Sequence, residues 1–251
     1  MNKVTGLILR ILKITGITIL SVLILLFLAP YFFPDTVGKQ IKNWTNQSIK
    51  GELNFSKARL SFFTHFPSLT LTLYNVDLKG SAPFQKDTLL YADKLGFGVN
   101  LEKLIFGHQV SVNKIFLTGA YMHVLVDEKG QANYNIYTSD TSVKPEHTDT
   151  TAASLLLEKI IVNDSYLEYS DKSIPMLIQA EHFYYEGSGD LSKSIFDLAS
   201  HIRIDSLNII TDNHSYVRRK AIDANLVTHI NTKTLAFSFE NDNITVNKLN
   251  I

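Results

Sequence analysis

The chain has 251 residues, with 24 basic and 24 acidic side chains and no cysteine. Because the charges balance, no basic field exists to attract nucleic acid, and we expect no nucleic-acid partner. The absence of cysteine excludes disulfides, thiolate metal sites and cysteine nucleophiles. The length is sufficient for one large β-domain or two smaller ones.

An uncharged apolar segment near the N-terminus predicts a membrane anchor. Residues 14–33 contain no charged side chain and include Ile14, Leu20, Leu25 and Phe33. A helix of this length reaches about 30 Å, the thickness of the hydrocarbon core of a bilayer. The apolar region of a cleaved signal peptide is shorter, about 7–15 residues. We therefore favour a retained anchor over a cleaved signal.

The charges that flank this segment favour a cytoplasmic N-terminus. Three cations precede the segment, namely Lys3, Arg10 and Lys13. Two cations follow it, namely Lys39 and Lys42. Positive charge is enriched on the cytoplasmic side of a single span. The remainder of the chain is thus predicted to lie outside the cytoplasmic membrane.

Beyond residue 51 the apolar residues follow a strand-like period of two. Leucine alternates with threonine over residues 69–73. The leucines are therefore predicted to share one face of a strand, while Thr70 and Thr72 lie on the opposite, solvent-facing side. Residues 95–99 alternate in the same way. The predicted working surface consists of Leu69, Leu71, Leu73, Leu95, Phe97 and Val99.

The alternation reverses its phase at Tyr74, after which Val76 and Leu78 are the apolar residues. A period of two cannot reverse without a bulge, a bend or a strand end, because a slip of one residue moves every side chain to the other face. The sequence therefore predicts an irregularity at this point.

Five segments follow from these patterns. A short helix with an apolar stripe follows the anchor, and a segment rich in Ser, Thr and Asp, too polar to fold by burial, divides the strand-like region. The predicted segments are a cytoplasmic N-terminus and anchor (1–34), a membrane-proximal helix (35–50), a first β segment (51–137), a flexible linker or loop (138–154) and a second β segment (155–251). Within them we expect turns at 127–130 and 241–243 and a short strand at 133–137.

A weak internal repeat accompanies the strand pattern. Residues 114–121 resemble residues 159–166, an offset of 159 − 114 = 45, and residues 248–251 begin the motif once more. Lys-Ile pairs are common, so chance is an alternative explanation. If the repeat is real, the chain ends inside a copy, and we expect the N-terminal part of a longer protein or a truncated copy.

The sequence contains no catalytic motif that we recognise. It lacks Gly-x-Ser-x-Gly, Walker, His-Glu-x-x-His and Gly-x-Gly-x-x-Gly patterns, and its eight histidines show no close metal-ligand spacing. We expect neither an enzyme nor a bound metal or cofactor. The basic cluster at 218–220 is interpreted as a solvated strand end rather than a phospholipid headgroup site.

Several of these features together resemble the N-terminal region of AsmA family proteins, most strongly over residues 1–137. They are the single anchor, the short helix and, in order, the sequences Gly-Glu-Leu-Asn-Phe (51–55), Phe-Phe-Thr-His-Phe-Pro-Ser-Leu-Thr-Leu (62–71), Asn-Val-Asp-Leu (75–78), Ala-Asp-Lys-Leu (92–95) and Asp-Glu-Lys-Gly-Gln-Ala-Asn-Tyr (127–134).

The resemblance implies a protein of the bacterial cell inner membrane whose bulk lies in the periplasm as a long, curved antiparallel sheet, a β-groove. The wider group, which includes TamB-like and chorein-type bridge proteins, is thought to conduct phospholipids between membranes. It offers no catalytic residues to transfer. The implied partners are membrane phospholipids and the inner membrane.

Two alternatives remain open on the sequence alone. The first is a β-sandwich, which has the same alternation but closes its apolar faces on each other. The second is an anchored scaffold that assists outer-membrane assembly components without conducting lipid.

Overall fold

The computed structural model describes most of the strand-forming part of the chain and isolated parts of its N-terminal region. The described residues are 10, 12–18, 20–22, 24, 42, 49–65, 68–100, 103, 111–136, 154–191, 193–231, 234, 236–247 and 249–250.

Part of the predicted anchor is helical. Residues 12–18 form α-helix, in which the Thr18 hydroxyl donates a hydrogen bond to the Ile14 carbonyl over 2.9 Å. The side chains of Ile14 and Leu20 are exposed. Within the described residues, no helix is both long and apolar enough to cross a membrane. Leu25 and Phe33 lie outside these residues, as does nearly all of the predicted helix at 35–50.

The described strands confirm the predicted mainly β fold and belong to one sheet. In chain order they are β1 (Leu53–Asn54), β2 (Lys57–His65), β3 (Ser68–Lys79), β4 (Thr88–Val99), β5 (Ser111–Val126), β6 (Ser154–Asp171), β7 (Met176–Ser188), β8 (Ile195–Thr211), β9 (His214–Asn231), β10 (Ala236–Val246) and β11 (Leu249–Asn250). The order across the sheet is β1-β3-β4-β5-β6-β7-β8-β9-β10-β11, and β2 pairs with the same edge of β3 as β1. The sheet is open.

The prediction of a purely antiparallel sheet is wrong at one pair, because β5 and β6 are parallel. Two neighbouring strands that run the same way require the chain to return along their length before the second begins. Residues 137–153, which cover most of the predicted linker, lie between β5 and β6 in the sequence and outside the described residues. Strands from both predicted β segments thus meet in one sheet.

The parallel pair explains the internal repeat. Lys114 is the register partner of Lys159 and Tyr121 that of Tyr166, so the repeat offset of 45 equals the register of β5 against β6. The Tyr121 and Tyr166 rings stack at 5.3 Å with an interplanar angle of 1°. The Ala120 amide donates to the Ser165 hydroxyl over 3.1 Å. The two similar segments therefore lie side by side in the sheet.

The predicted irregularity after Tyr74 is confirmed inside a continuous strand. Asn75 adopts a left-handed backbone with φ of 49°, and Asp164 and His182 do so on β6 and β7. Asn, Asp and His are among the residues that tolerate this region. The reversal lets Leu73 and Val76, three residues apart, join one buried cluster.

Two local predictions were wrong. Residues 241–243 do not form a turn, because β10 continues through them with a register shift between Glu240 and Asn243. Residues 133–136 do not form a strand but a loop that folds back on β5. At 241–243 the turn preference of Asn and Asp was overridden by the pairing of β10 with β9. At 133–136 the Asn133 side chain bonds to the β5 backbone, and the segment stays a loop. The predicted turn at 127–130 is confirmed, with the Asp127 carboxylate accepting from the Lys129 and Gln131 amides.

Candidate functional site

The predicted working surface forms a continuous patch on two neighbouring strands. Residues that face each other across a pair of strands lie on the same side of the sheet. The six predicted side chains are therefore on one side, because they form the three directly opposed pairs Leu69–Val99, Leu71–Phe97 and Leu73–Leu95.

This patch is one end of an apolar row that crosses nine strands. Each member is the register partner of the next. From β2 to β10 the row consists of Ala58, Leu73, Leu95, Leu117, Val162, Tyr185, Ile202, Ala224 and Ile244. No member is charged, so this side of the sheet carries an unbroken line of uncharged side chains. We call this side the apolar face.

A second row runs along the apolar face nearer to the start of β1. It consists of Leu53, Leu78, Leu90, Met122, Leu167, Ala180 and Leu207. Leu53 and Leu73 belong to one buried cluster, against which Leu78, Leu90 and Met122 pack. The two rows therefore belong to one surface.

Burial changes along the apolar face. On β3, Leu73 is 1% exposed and Val76 is 0% exposed. On β10, by contrast, Phe237 and Phe239 are 67% and 56% exposed, and their rings pack edge to face at 5.7 Å. Exposed apolar area of this kind marks a surface that meets another apolar body. The open part of the face thus lies toward β10.

The six predicted residues differ in what they can reach. Leu69, Leu73 and Val99 are buried, whereas Leu71, Leu95 and Phe97 are partly exposed. The continuation of the apolar face onto β6–β10 was not predicted from the sequence, because apolar and polar residues alternate less regularly in those strands. The signal that could have found it is the repeat, since an in-register copy carries the pattern from β5 to β6.

The expectation that Thr70 and Thr72 face solvent was wrong, because both are buried. Their register partners on β4 are Gly98 and Gly96, which leave room on this side of the sheet. The side chains of Phe116 and Lys114 on β5 lie over these glycines, and the ring of His65, from the end of β2, stacks on Phe116 at 3.7 Å. These side chains form a layer on the side of the sheet that carries the threonines.

Burial and a nearby cation act on His65. Burial, together with the positive charge of Lys114, lowers the pKa of His65 below its ordinary value. Lys114 donates to the Ser68 hydroxyl over 3.1 Å. This side of the sheet at β2–β5 thus carries a small packed layer that includes His65, Phe116 and Lys114.

Histidine–carboxylate pairs tie neighbouring strands together. His123 lies 3.2 Å from Glu168, His182 lies 2.6 Å from Asp164 and His229 lies 2.7 Å from Asp197. Hydrogen bonding to Asp164, with the charge of that carboxylate, raises the pKa of His182.

Glu168 gathers further partners in the same layer. Its carboxylate accepts from the Tyr166 hydroxyl over 3.1 Å and from the Gln179 amide over 3.0 Å. Burial and this hydrogen bond raise the pKa of Tyr166 to about 12. Within the described residues no group of three His, Asp or Glu side chains is placed to hold a metal ion.

The structure also shows a role for Asn133 that was not predicted from the sequence, because this residue is fully buried. Its side-chain amide donates to the His123 carbonyl over 2.7 Å and its oxygen accepts from the Leu125 amide over 3.0 Å. These β5 groups lie beyond Met122, the last β5 residue paired with β4. The Asn133 side chain therefore takes the place of a neighbouring strand and holds the returning loop against β5.

The described strands define a class of protein built on one open sheet with a continuous apolar face. The sequence matches the AsmA family over residues 9–183, and the chain belongs to this family. The match covers β1 to most of β7. Membership supports a general role in lipid handling or outer-membrane biogenesis in the cell envelope. Among curated proteins, none matches the chain.

Proposed function

We propose that the chain is an inner-membrane-anchored periplasmic protein that takes part in passive phospholipid transfer between the inner and outer membranes and so maintains the envelope. The observation that supports this most is the apolar row across nine strands of one open sheet. All described strands belong to this sheet, so the sandwich in which two sheets cover each other's apolar faces is not favoured.

The apolar face matches the physical need of a lipid outside a bilayer. Moving an acyl chain into water costs about 0.8 kcal/mol per CH₂, so two chains of about 16 carbons cost on the order of 25 kcal/mol. Contact with the leucine, isoleucine and phenylalanine side chains of the apolar face would offset much of this cost. A curved sheet would enclose the chains further and form the groove that the family resemblance implies.

No reaction or cofactor is needed for this function. Lipid would slide along the face down its concentration gradient while the headgroup stays in water. The uncharged segment 14–33 would hold the protein in the inner membrane as a single-pass anchor, with the N-terminus in the cytoplasm. We propose no enzymatic activity.

Photo-crosslinking tests the proposal at neighbouring residues on opposite sides of the sheet. A benzophenone amino acid at Ile202, on the apolar face, is expected to form phospholipid adducts in membranes that mass spectrometry detects. The same probe at His201, which is exposed on the reverse side, is the matched control. Probes at Leu71 and Phe239 extend the test along the face.

A charge on the face should prevent lipid from occupying it. We choose Leu71→Asp because the Leu71 side chain is partly exposed. Leu73 is only 1% exposed, so a charge at position 73 would unfold the sheet. We expect Leu71→Asp to reduce adducts at Ile202 while circular dichroism stays unchanged. Absence of adducts at all three probe positions would refute the proposal of lipid conduction and favour the anchored scaffold.

A further inference from the structure

The β8–β9 hairpin carries an irregular segment at one end of the sheet. Its pairing shifts register three times between Ile204 and Thr211. The shifts lie opposite residues 214–222, where β9 holds more residues than its partner strand. β-Bulges of this kind turn side chains out of the regular ladder and recur at functional sites.

The residues in and beside these bulges are aromatic and basic. Tyr216 is 73% exposed, and Arg218, Arg219 and Lys220 are all exposed. Arg219 has a left-handed backbone with φ of 49°, and its amide donates to the Asn208 side-chain oxygen over 3.0 Å. This hydrogen bond holds the bulge in place. We call Tyr216, Arg218, Arg219 and Lys220 the basic tip.

The cations of the basic tip have no carboxylate partner in the described part of the chain, where the ion pairs of the sheet involve other residues. Three cations at consecutive positions repel one another, and this repulsion is not compensated within the described residues. An anionic partner outside the chain would neutralise them.

The basic tip lies at the end of the sheet where the chain arrives from the predicted anchor. Lys220 is the register partner of Leu207, which belongs to the same row as Leu53 at the start of β1. Tyr216 and Arg218 lie beyond that row, toward the hairpin turn. In the sequence, residues 34–48 lie between the predicted anchor and Ile49, so in the proposed function the membrane would face this end of the sheet.

A second hairpin turn at this end has similar character. The β6–β7 turn carries the exposed Lys172 and Ile174, and Ile174 is 56% exposed. The turn lies beside the end of β8 because β7 pairs with β8 from Met176–Thr211 onward. Exposed apolar and basic side chains thus extend over two adjacent turns.

We propose that the basic tip docks on the surface of the membrane that holds the anchor, with its cations on the phosphates of anionic phospholipids. The proposal rests on the anchor of the proposed function. Arginine guanidinium groups suit phosphate oxygens, juxtamembrane cations are attracted by anionic lipid, and tyrosine is favoured at the membrane–water interface. Docking would hold the apolar face with one end at the lipid source.

A fluorescent probe on the tip tests this directly, because the native chain has no cysteine. The full chain with Tyr216→Cys is labelled with nitrobenzoxadiazole and reconstituted into vesicles of phosphatidylcholine alone or with phosphatidylglycerol. We expect a blue shift and higher intensity only with phosphatidylglycerol, reversed by high salt. Adding Arg218→Gln, Arg219→Gln and Lys220→Gln should abolish the response.

The control carries the label at Lys193→Cys, an exposed position in the β7–β8 connection at the opposite end of the sheet. Its emission should be the same in both vesicles. The docking of the basic tip is refuted if phosphatidylglycerol does not change the emission at position 216. It is also refuted if the change persists in the triple variant.

Two measurements on the same vesicles separate this failure from failure of the proposed function. Release of the chain by alkaline extraction would refute the anchor, and the tip proposal with it. A retained chain that forms lipid adducts at Ile202 but shows no response at position 216 would refute the tip proposal alone.

Discussion

Single polar residues hold parts of this sheet that strand pairing does not reach. Asn133 is the best example, because its side chain satisfies two β5 backbone groups beyond the end of β4. An amide is required there, since one group must donate and the other accept. Asn133 is thus fully buried, although the residues that follow it, Tyr134 and Asn135, are exposed.

Replacing Asn133 should destabilise the sheet strongly. Asn133→Ala leaves the Leu125 amide and the His123 carbonyl without partners, and a buried unsatisfied group costs about 1–3 kcal/mol. We expect the free energy of unfolding to fall by roughly 2–4 kcal/mol in urea denaturation. Asn135→Ala, at an exposed position in the same loop, should change it little. Equal stability of the two variants would contradict the role assigned to Asn133.

Titration of His182 should report its pairing with Asp164. Its pKa is raised in the folded chain, so the pair stabilises the fold at pH below the ordinary histidine value, and this stabilisation is lost as pH rises through the raised pKa. Asp164→Asn is expected to lower the His182 midpoint in an NMR titration. Asp197→Asn, which removes the carboxylate of a different pair, should leave it unchanged. An unchanged His182 midpoint in Asp164→Asn would refute the pairing of His182 with Asp164.

At the scale of an element, β4 is shaped by two glycines. Gly96 and Gly98 lie beneath the layer formed by His65, Phe116 and Lys114. A Cβ at Gly98 would lie 2.9 Å from the Lys114 Cβ, closer than two carbons can approach without movement. Glycine is therefore needed for close packing here rather than for its backbone freedom.

A methyl group at Gly98 should weaken the pairing of β4 with β5. We expect Gly98→Ala to lower the free energy of unfolding by about 1–3 kcal/mol, as overpacking does. Hydrogen exchange should show the loss at β4 and β5. Gly16→Ala is the control, because its added carbon meets nothing within 4 Å. Unchanged stability of Gly98→Ala would show that β5 can move aside at no cost.

The β5–β6 pair shows what a repeat in a sequence can and cannot predict. Similar residues 45 positions apart indicate related strands, and the register of β5 against β6 follows that offset. The direction of pairing is not contained in the offset, because either orientation can place similar strands side by side. The antiparallel prediction failed for this reason.

At the scale of the molecule, stability should fall from the middle of the sheet toward β10. β5 and β6 have partners on both sides, whereas among the described residues β10 pairs with β11 at Thr245 and Val246 alone. We expect β10 amides to exchange at least about tenfold faster than those of β5 and β6, because edge strands open locally at lower free energy. Mass spectrometry after deuterium labelling measures this. Uniform exchange over all strands would contradict the open edge.

The sequence by itself determined the strand content, the alternation that creates an apolar face and the phase reversal after Tyr74. These features are local, since a period of two and a backbone preference act between near neighbours. It also contained the apolar segment 14–33, on which the anchor proposal depends.

Only the tertiary structure decided which strands meet, that Thr70 and Thr72 are covered, and that Asn133 replaces a strand. It also brought the cluster at 218–220, interpreted from sequence as a solvated end, to the same end of the sheet as Leu53. These outcomes depend on contacts between residues far apart in the chain. No local pattern specifies them, because the same alternation is compatible with several partners, directions and coverings of each strand.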